Sequence, residues 1–482
     1  PENGSRNVGM YRVQEFAKAK TALHWQLHKV SRRLYEAYKA KGIQKMPVAI
    51  ALGGDPVYTY AATAPLPDGI DEYILAGFLR KKKVELVKCL TQPDIEVPAD
   101  ADIIIEGYVD TTEELLWEGP FGDHTGYYSL PDWYPGFHVT AITHRKNAIY
   151  PSTIVGIPPQ EDAWLGKATE RIFLAPIKMT MVPEVIDMDL PIEGVFHNMA
   201  IVQIQKDFPG QAHKVMNAMW GAGQMMFTKM MLIVDQHAPM GDYTALAKYV
   251  SENVELSRDL VISKGPIDVL DHSCSSMAFG GKLGLDGTRK LPEELDGPAP
   301  ESQTDAKPDA TGIRGLDAAI VEVNVSLMEQ GIRLGLVAVK KTQRGQLKAL
   351  ASKLAQSEAT DGLQALILFD DNVDVQHVPD AVWRFANNTD VKRDGQLYPT
   401  AAGTLFVLDA TRKTQALDDF QRPWPEILVM DSAVIEKVDQ RWAEYGLGAL
   451  IPSPSRRYQP QVYGNSAVAP EPEPIHSAEA AS

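Results

Sequence analysis

IVQIQKDFPGQ (201–211) and LVAVKKTQRGQ (336–346) share one pattern, an apolar run leading through a charged turn to Gly-Gln, and they lie 135 residues apart. The same shift superposes Asp235 on Asp370, Asn253 on Asn388, and LSRD (256–259) on VKRD (391–394), without a gap. Around the first copy the chain alternates between strand and helix patterns: FHNMAIVQIQK, a helix from about Gly210 to Gly221, MMLIVD, a further helix, then LVISKG. Strand-length apolar runs alternating with helical periodicity mark an α/β unit, and self-similarity at a fixed shift marks its duplication. The expected C-terminal part is a helix and α/β domain over 161–290 and a second, related α/β copy over 313–447. The second copy is expected to serve packing and self-association.

Between the copies, LPEELDGPAPESQTDAKPDATG is rich in Pro, Asp and Glu, so 291–312 reads as a flexible linker. The end of the chain, 448–482, has the same character and reads as a disordered tail. Residues 1–160 read instead as a β-rich, barrel-like domain. In TALHWQLHK (21–29), Leu23, Trp25 and Leu27 alternate with His24, Gln26 and His28, the period of a half-buried strand. SRRLYEAYKAKG predicts a helix with Ser31 as N-cap and Gly42 at its close. MPVAIALGGDP predicts a buried strand entering a Gly-rich turn, and DGIDEYILAGFLRKK a second helix. VELVKCL, DIIIEGYVD and FHVTAITHRKNAIY are rich in strand formers.

With 482 residues, 44% of them hydrophobic, the chain can bury more than one core. Its net charge of −16, with no basic stripe, disfavours nucleic acid or an anionic membrane surface as partner and favours a small molecule. Cys89 and Cys274 are too few for a disulfide framework, and a cytoplasmic location is expected. No apolar run has the length of an integral membrane segment. Because the chain opens without Met and already inside patterned sequence, an upstream segment is expected to be missing. GxxxxGK[ST], GxSxG, HExxH and a strand-to-helix GxGxxG are all absent from the sequence, which lowers the standing of NTPases, serine hydrolases and Rossmann dehydrogenases. GGDP (53–56) reads as a strand-ending turn, KKK (81–83) as a solvated helix end, and MNAMWGAGQMMFTKMM as core.

WEGPFGDHTGYY (117–128) places Glu118 and Asp123 five residues apart around a tight turn. Paired carboxylates beside an arginine have their pKa values pushed apart, one held ionised and one available as a proton donor. Spacing alone also allows a charged turn in solvent. Asn7, His24, His28 and Glu72 are scattered, and their spacing alone specifies no metal; Glu72 at a helix start also suits the helix dipole.

Several motifs in order, RNVGMYR (6–12), DEYILAG (71–77), EVPADADIIIEGY, EGPFGDHTGYY (118–128), AIYPSTIVGIPPQED (148–162) and GGKLGLDGTRK (280–290), resemble the UbiD-like decarboxylases. The resemblance covers residues 1 to about 290, and the second copy and tail resemble the extended members of that family. It implies a mixed α/β and β fold, with a split β-barrel flavin-binding domain followed by α/β domains. It further implies a reversible carboxy-lyase for aromatic or unsaturated acids that uses prenylated FMN, with Mn2+ or Mg2+ and possibly K+. By position, Asn7, Glu72 and His28 match the family's metal ligands. Met10, Tyr11, Arg12, His24, Trp25 and Gln26, continuing to Lys29 and Val30, match its flavin-lining segments. Arg12, Glu118 and Asp123 match its Arg-Glu-acid trio, with Asp123 the expected proton donor at a raised pKa and Glu118 ionised against Arg12. The expected substrate is a hydroxy-aryl acid such as a quinone precursor; a small phenolic or heteroaryl acid and a catalytically silent assembly subunit are the alternatives. A flavin prenyltransferase as cofactor supplier and a homo-oligomeric state are expected with it.

Overall fold

A computed structural model of the chain describes residues 6–26, 29–67, 69–295, 306–401 and 403–464. They form two compact units, one of residues up to Phe121 with Tyr128–Ile154, the other of Gly122–Tyr127 with Val155–Gly464.

The first unit contains β1 (Val13–Ala17), β2 (Lys20–Leu23), α1 (Val30–Ala40), β3 (Lys45–Leu52), α2 (Pro56–Thr63), α3 (Glu72–Arg80), β4 (Ile103–Asp110), β5 (Leu116–Glu118), β6 (Asp132–Tyr134) and β7 (Gly136–His144). Its main sheet is antiparallel in the order β1-β2-β7-β4-β3. Leu23, Trp25, Tyr35, Met46, Val109 and Phe137 form the core beneath it. Glycine is required at 53 and 54, which sit at φ +72° and +83°: a Cβ would meet Asp102 at 53 and the Asp100 carbonyl at 54, and Asp102 accepts the Gly54 N–H at 2.7 Å. GGDP is thus a structural turn, and Asp55 caps α2 by accepting the Val57 N–H.

Two local expectations are corrected. The strand in TALHWQLHK stops at Leu23, because Trp25 N–H bonds Leu23 O at 2.8 Å and turns the chain. His24 and Trp25 are consequently both buried, which strict alternation does not allow. Leu27 and His28 lie outside the described residues. The N-cap of α1 is Lys29, so the helix starts two residues earlier than a Ser31 cap would require. Ser31 spends its hydroxyl elsewhere, as acceptor for the Asn7 amide at 3.3 Å. Gly42 takes the left-handed position (φ +68°) just past the last turn.

The second unit begins with α4 (Glu161–Thr180) and then runs β8 (Val185–Asp189), β9 (Met199–Ile204), α5 (Gln211–Trp220), β10 (Met230–Asp235), α6 (Tyr243–Asn253), α7 (Leu256–Asp259), β11 (Leu260–Pro266) and β12 (Phe279–Asp286). A second series follows: α8 (Ala310–Gly315), β13 (Ile320–Asn324), β14 (Leu334–Val339), α9 (Gln346–Ala355), β15 (Ala365–Asp370), α10 (Val378–Asn388), α11 (Val391–Asp394), β16 (Gly395–Thr400) and β17 (Gly403–Asp409). The sheets are β8-β9-β10-β12-β11 and β13-β14-β15-β17-β16, each with three parallel central strands and antiparallel edges. From β8 and β13 through β11 and β16, each element starts 135 residues after its counterpart. The loop between β11 and β12 has no equivalent in the second copy, so the last strands fall out of that register. This shift hides a further pair, DGTRK (286–290) and DATRK (409–413). In both, Thr N–H bonds the Asp carboxylate, at 3.0 Å to Asp286 and 2.9 Å to Asp409, and a buried lysine reaches the Thr hydroxyl, Lys206 at 2.7 Å and Lys341 at 3.0 Å.

The copies pack on one another through Val254 and Leu256 of the first, at the junction of α6 and α7, and the strand residues Leu336, Ile367, Phe369 and Phe406 of the second. The Met-rich stretch supplies Met216, Met219 and Met231 to the core of the first copy. The described ends of the linker and the described part of the tail are ordered, against the expectation from their composition. Glu294 accepts from the Lys206 ammonium at 2.5 Å and the Gly210 N–H at 2.9 Å, so 291–295 belongs to the first copy. Tyr458 and Gln461 are buried against α10, where Gln461 accepts from Arg384 at 2.9 Å and Tyr458 donates to Asp380 at 2.9 Å. These few aromatic and polar anchors outweigh the Pro-rich surroundings; 296–305 and 465–482 lie outside the described residues.

Candidate active site

The chain leaves the first unit after Phe121 and re-enters it at Tyr128, so Glu118 lies in one unit and Asp123 in the other. Each half has its own geometry.

In the first unit, Glu118 ends β5 and is fully buried. Arg12 grips it with two charge-assisted bonds, Nε to Oε1 and Nη2 to Oε2, both 2.6 Å. His24 Nδ1 lies 3.0 Å from Oε2, and Arg12 also donates to Ser129. Burial alone would raise the Glu118 carboxyl, but the bonds from His24 and Arg12 overcome it and hold the group below its ordinary value. Glu118 is therefore ionised. With Nδ1–H assigned as donor to that carboxylate, His24 Nε2 is an acceptor, and it is buried without a partner among the described residues. Trp117 Nε1 is in the same condition as a donor. Met10 is half exposed nearby in sequence, and Tyr11 and Trp25 meet edge to face at 6.4 Å.

Asn7 and Glu72 lie in this unit as well. Glu72, the first residue of α3, accepts the Val8 N–H at 2.8 Å, while burial raises its carboxyl above the ordinary value. A half-buried carboxylate in that state is relieved by a cation. Among the described residues no group of three His, Cys, Asp or Glu side chains is poised to hold a metal; Asn7 is of another type, and His28 is not among them. Lys29 and Val30 open α1, and Gln26 precedes it.

In the second unit, Asp123 Oδ1 accepts from both the backbone N–H and the ring Nδ1 of His124, each at 2.8 Å. His124 Nε2 meets His197 Nε2 at 3.0 Å and stacks on Phe196, centroids 5.2 Å apart. Burial would lower the His124 pKa, but the hydrogen bond and charge of Asp123, aided by Asp162 and Asp268, raise it to about 9. Burial and the adjacent His124 charge hold His197 down, as the neutral acceptor of the pair. His124 is therefore protonated at neutral pH and bonded to Asp123. His197 is presented by a backbone turn in which Val195 and Phe196 both have positive φ (46° and 51°), rare for such residues. Gly166 of α4 makes room, since a Cβ there would lie 2.5 Å from Phe196. The histidine pair escaped the sequence reading because 73 residues separate its members.

Two family profiles match the chain. The "3-octaprenyl-4-hydroxybenzoate carboxy-lyase Rift-related domain" covers residues 1–158, and the corresponding "C-terminal domain" covers 163–287 and 312–416, the two copies described above. An uncharacterized protein of Archaeoglobus fulgidus is 51% identical over 61% of this chain, and the match spans 61% of that protein's length. Among solved structures, the UbiD-class enzyme HmfF from Pelotomaculum thermopropionicum in complex with FMN is 29% identical, with a TM-score of 0.54 over 63% of this chain and 66% of that one. An evolved dimeric form of the same enzyme was solved with prFMN. Vanillic acid decarboxylase from Sedimentibacter hydroxybenzoicus matches at 25% identity and TM-score 0.55, over 63% of each chain.

Proposed function

The chain belongs to the UbiD family, and from that premise we propose that it is a prenylated-FMN-dependent carboxy-lyase acting reversibly on an aromatic or unsaturated acid, with a hydroxy-aryl acid as substrate class. The observation that carries the reading is the buried Arg12–Glu118–His24 cluster with its unpartnered His24 nitrogen. The fit of a flavin rests on that nitrogen and on Trp117 Nε1, an acceptor and a donor that a flavin's hydroxyls and carbonyls would satisfy. Met10, Tyr11, Arg12, His24, Trp25, Gln26, Lys29 and Val30 would line it. The fit of a hard divalent cation, Mn2+ or Mg2+, rests on Glu72, with Asn7 and His28 as the other protein ligands and the flavin phosphate completing an oxygen-rich set.

Loss of CO2 from an sp2 carbon leaves an electron pair with no stabilisation of its own, and prenylated FMN when bound supplies the electron sink. Arg12, locked by Glu118, offers a fixed cation to the substrate carboxylate. Glu118 stays ionised throughout and moves no proton. Asp123 delivers the proton to the carbon that loses CO2, and His124 replenishes it along the 2.8 Å Nδ1–H···Oδ1 bond. A flavin prenyltransferase would supply the cofactor, and a cytoplasmic homo-oligomer is the setting this reading adopts. No helix among the described residues is long and apolar enough to cross a membrane.

The test is co-expression with a flavin prenyltransferase, followed by an absorbance spectrum and a screen of aryl acids for CO2 release. Asp123→Asn should retain flavin while CO2 release and exchange of the product's ring hydrogen with D2O fall together. Parental rates of both in Asp123→Asn, or a flavin-loaded parent that releases no CO2 from any acid, would overturn the reading.

A further inference from the structure

We propose that the second α/β copy is a positioning element for the reaction: its helix α10 fixes the loop that carries Asp123 and His124 and the turn that carries His197. The proposal rests on the function proposed above and assigns the second copy a role beyond packing.

All the contacts lie in the second unit. Trp383 donates its Nε1–H to Thr125 O at 2.8 Å, two residues from Asp123. Asn388 accepts from the Tyr127 hydroxyl at 2.8 Å, and Arg384 donates to the same hydroxyl at 2.9 Å. Leu428 N–H bonds Gly126 O at 2.9 Å and Ile427 bridges Tyr127, so the loop is also added as a short strand to the segment following the second copy. Gly126 (φ +82°) lies flat on the indole, where a Cβ would come within 2.8 Å of Trp383. The same helix reaches the other half of the histidine pair: Asn387 accepts from the Asn198 amide at 3.2 Å, next to His197. One rigid helix thereby fixes the separation of two segments 73 residues apart, and with it the 3.0 Å His124–His197 contact. The helix is itself pinned, because the Ala386 carbonyl in its last turn accepts from Lys229, a buried ammonium paired with Asp271 at 2.6 Å.

The duplication provides an internal control. The first copy's α6 has Lys248, Tyr249, Glu252 and Asn253 where α10 has Trp383, Arg384, Asn387 and Asn388. Lys248 and Glu252 are exposed and form a surface ion pair at 3.9 Å, whereas Trp383, Arg384, Asn387 and Asn388 are all buried. Packing the second sheet requires the apolar residues the copies share. It does not require a Trp-Arg-Asn-Asn face aimed at a six-residue loop and a strained turn. Those four side chains spend buried hydrogen bonds on segments that bear the proton-carrying residues, and buried polar networks of this kind specify one geometry. Positioning errors of about 1 Å at such groups cost on the order of 10²-fold in rate.

The experiment uses the full chain. Trp383→Phe keeps an aromatic ring and removes the donor with the part of the indole that faces Gly126; Asn388→Ala, which removes the acceptor of the Tyr127 hydroxyl on the helix side, is the second variant. Two readouts need no cofactor: hydrogen–deuterium exchange of the 122–127 segment, and NMR titration of His124, faced by Asp123, Asp162, Asp268 and His197. Loss of one buried hydrogen bond should speed loop exchange by about tenfold and lower the His124 midpoint. In the flavin-loaded enzyme kcat should fall by about tenfold with KM and flavin content unchanged. Leu350→Ala, in the core of the second copy, should lower the melting temperature but leave loop exchange, the His124 midpoint and kcat at parental values. Parental exchange and titration in both Trp383→Phe and Asn388→Ala would overturn the proposal. So would a Leu350→Ala protein that reproduces their effects, since the copy would then act only through general stability. If the loaded parent releases no CO2, the functional reading fails separately, while the exchange result still decides what holds the loop.

Discussion

Glu118→Gln is the most direct probe of the first-unit cluster. The substitution keeps the shape of the side chain and removes the charge that Arg12 grips at 2.6 Å through two nitrogens, in a site where Glu118 is fully buried and Arg12 only 11% exposed. Removing one partner of a buried ion pair costs about 3–5 kcal/mol, because the remaining charge is left without compensation. In a domain of this size 1 kcal/mol moves the melting temperature by about 2–4 °C, so the transition of the first unit should fall by about 6–20 °C. The dependence on pH supplies an independent arm. The Glu118 carboxyl is held below its ordinary value of 4.5 in the folded state, so its contribution is full above that value and is lost as pH falls through the depressed one. Glu118→Gln should lack that part of the acid limb. Differential scanning calorimetry from pH 3 to pH 8 measures both. A variant melting within about 2 °C of the parent, with the same acid limb, would show that the pair carries no such energy and that Arg12 finds its compensation elsewhere.

Glu72→Gln should lower Mn2+ affinity and flavin retention together, as read by metal analysis and the flavin spectrum after gel filtration; full flavin occupancy in a metal-free variant would remove Glu72 from the cation site. For His124, whose pKa is raised from 6.5 to about 9, the stabilisation is complete below 6.5 and is lost as pH rises through about 9, so the second unit's melting temperature should decline over that window. His124→Gln should flatten this decline, since Asp123, Asp162, Asp268 and His197, the groups that face the ring, would then have no titrating partner there. Gly126→Ala, at φ +82° and 2.8 Å from the Trp383 ring, should destabilise by about 1–3 kcal/mol in chemical denaturation. A neutral result would mean that the loop is free to move off α10.

Much of the architecture is local in origin and so is legible in the sequence. The duplication shows at a shift of 135 residues because each α/β unit is set by short apolar runs and turn glycines that carry their pattern with them; the Glu118–Arg12 pair, 106 residues apart, was implied only by the family resemblance. The order in 291–295 and the docking of Tyr458 and Gln461 were not legible, because each is decided by a partner far along the chain, and the strand end at Leu23 was not, because a single turn bond from Trp25 overrides the alternation. The surroundings of Asp123 are the clearest case. The family resemblance makes Asp123 an acid beside a flavin pocket; in the fold it meets His124, and a histidine from position 197 completes the pair. Sequence alone determined which residue types are available, how they repeat and which family's motifs they spell. Only tertiary structure decided which partner each charge meets, because a carboxylate's protonation depends on burial and on groups brought within about 3 Å by folding, and neither quantity has a period or a spacing that can be read along the chain.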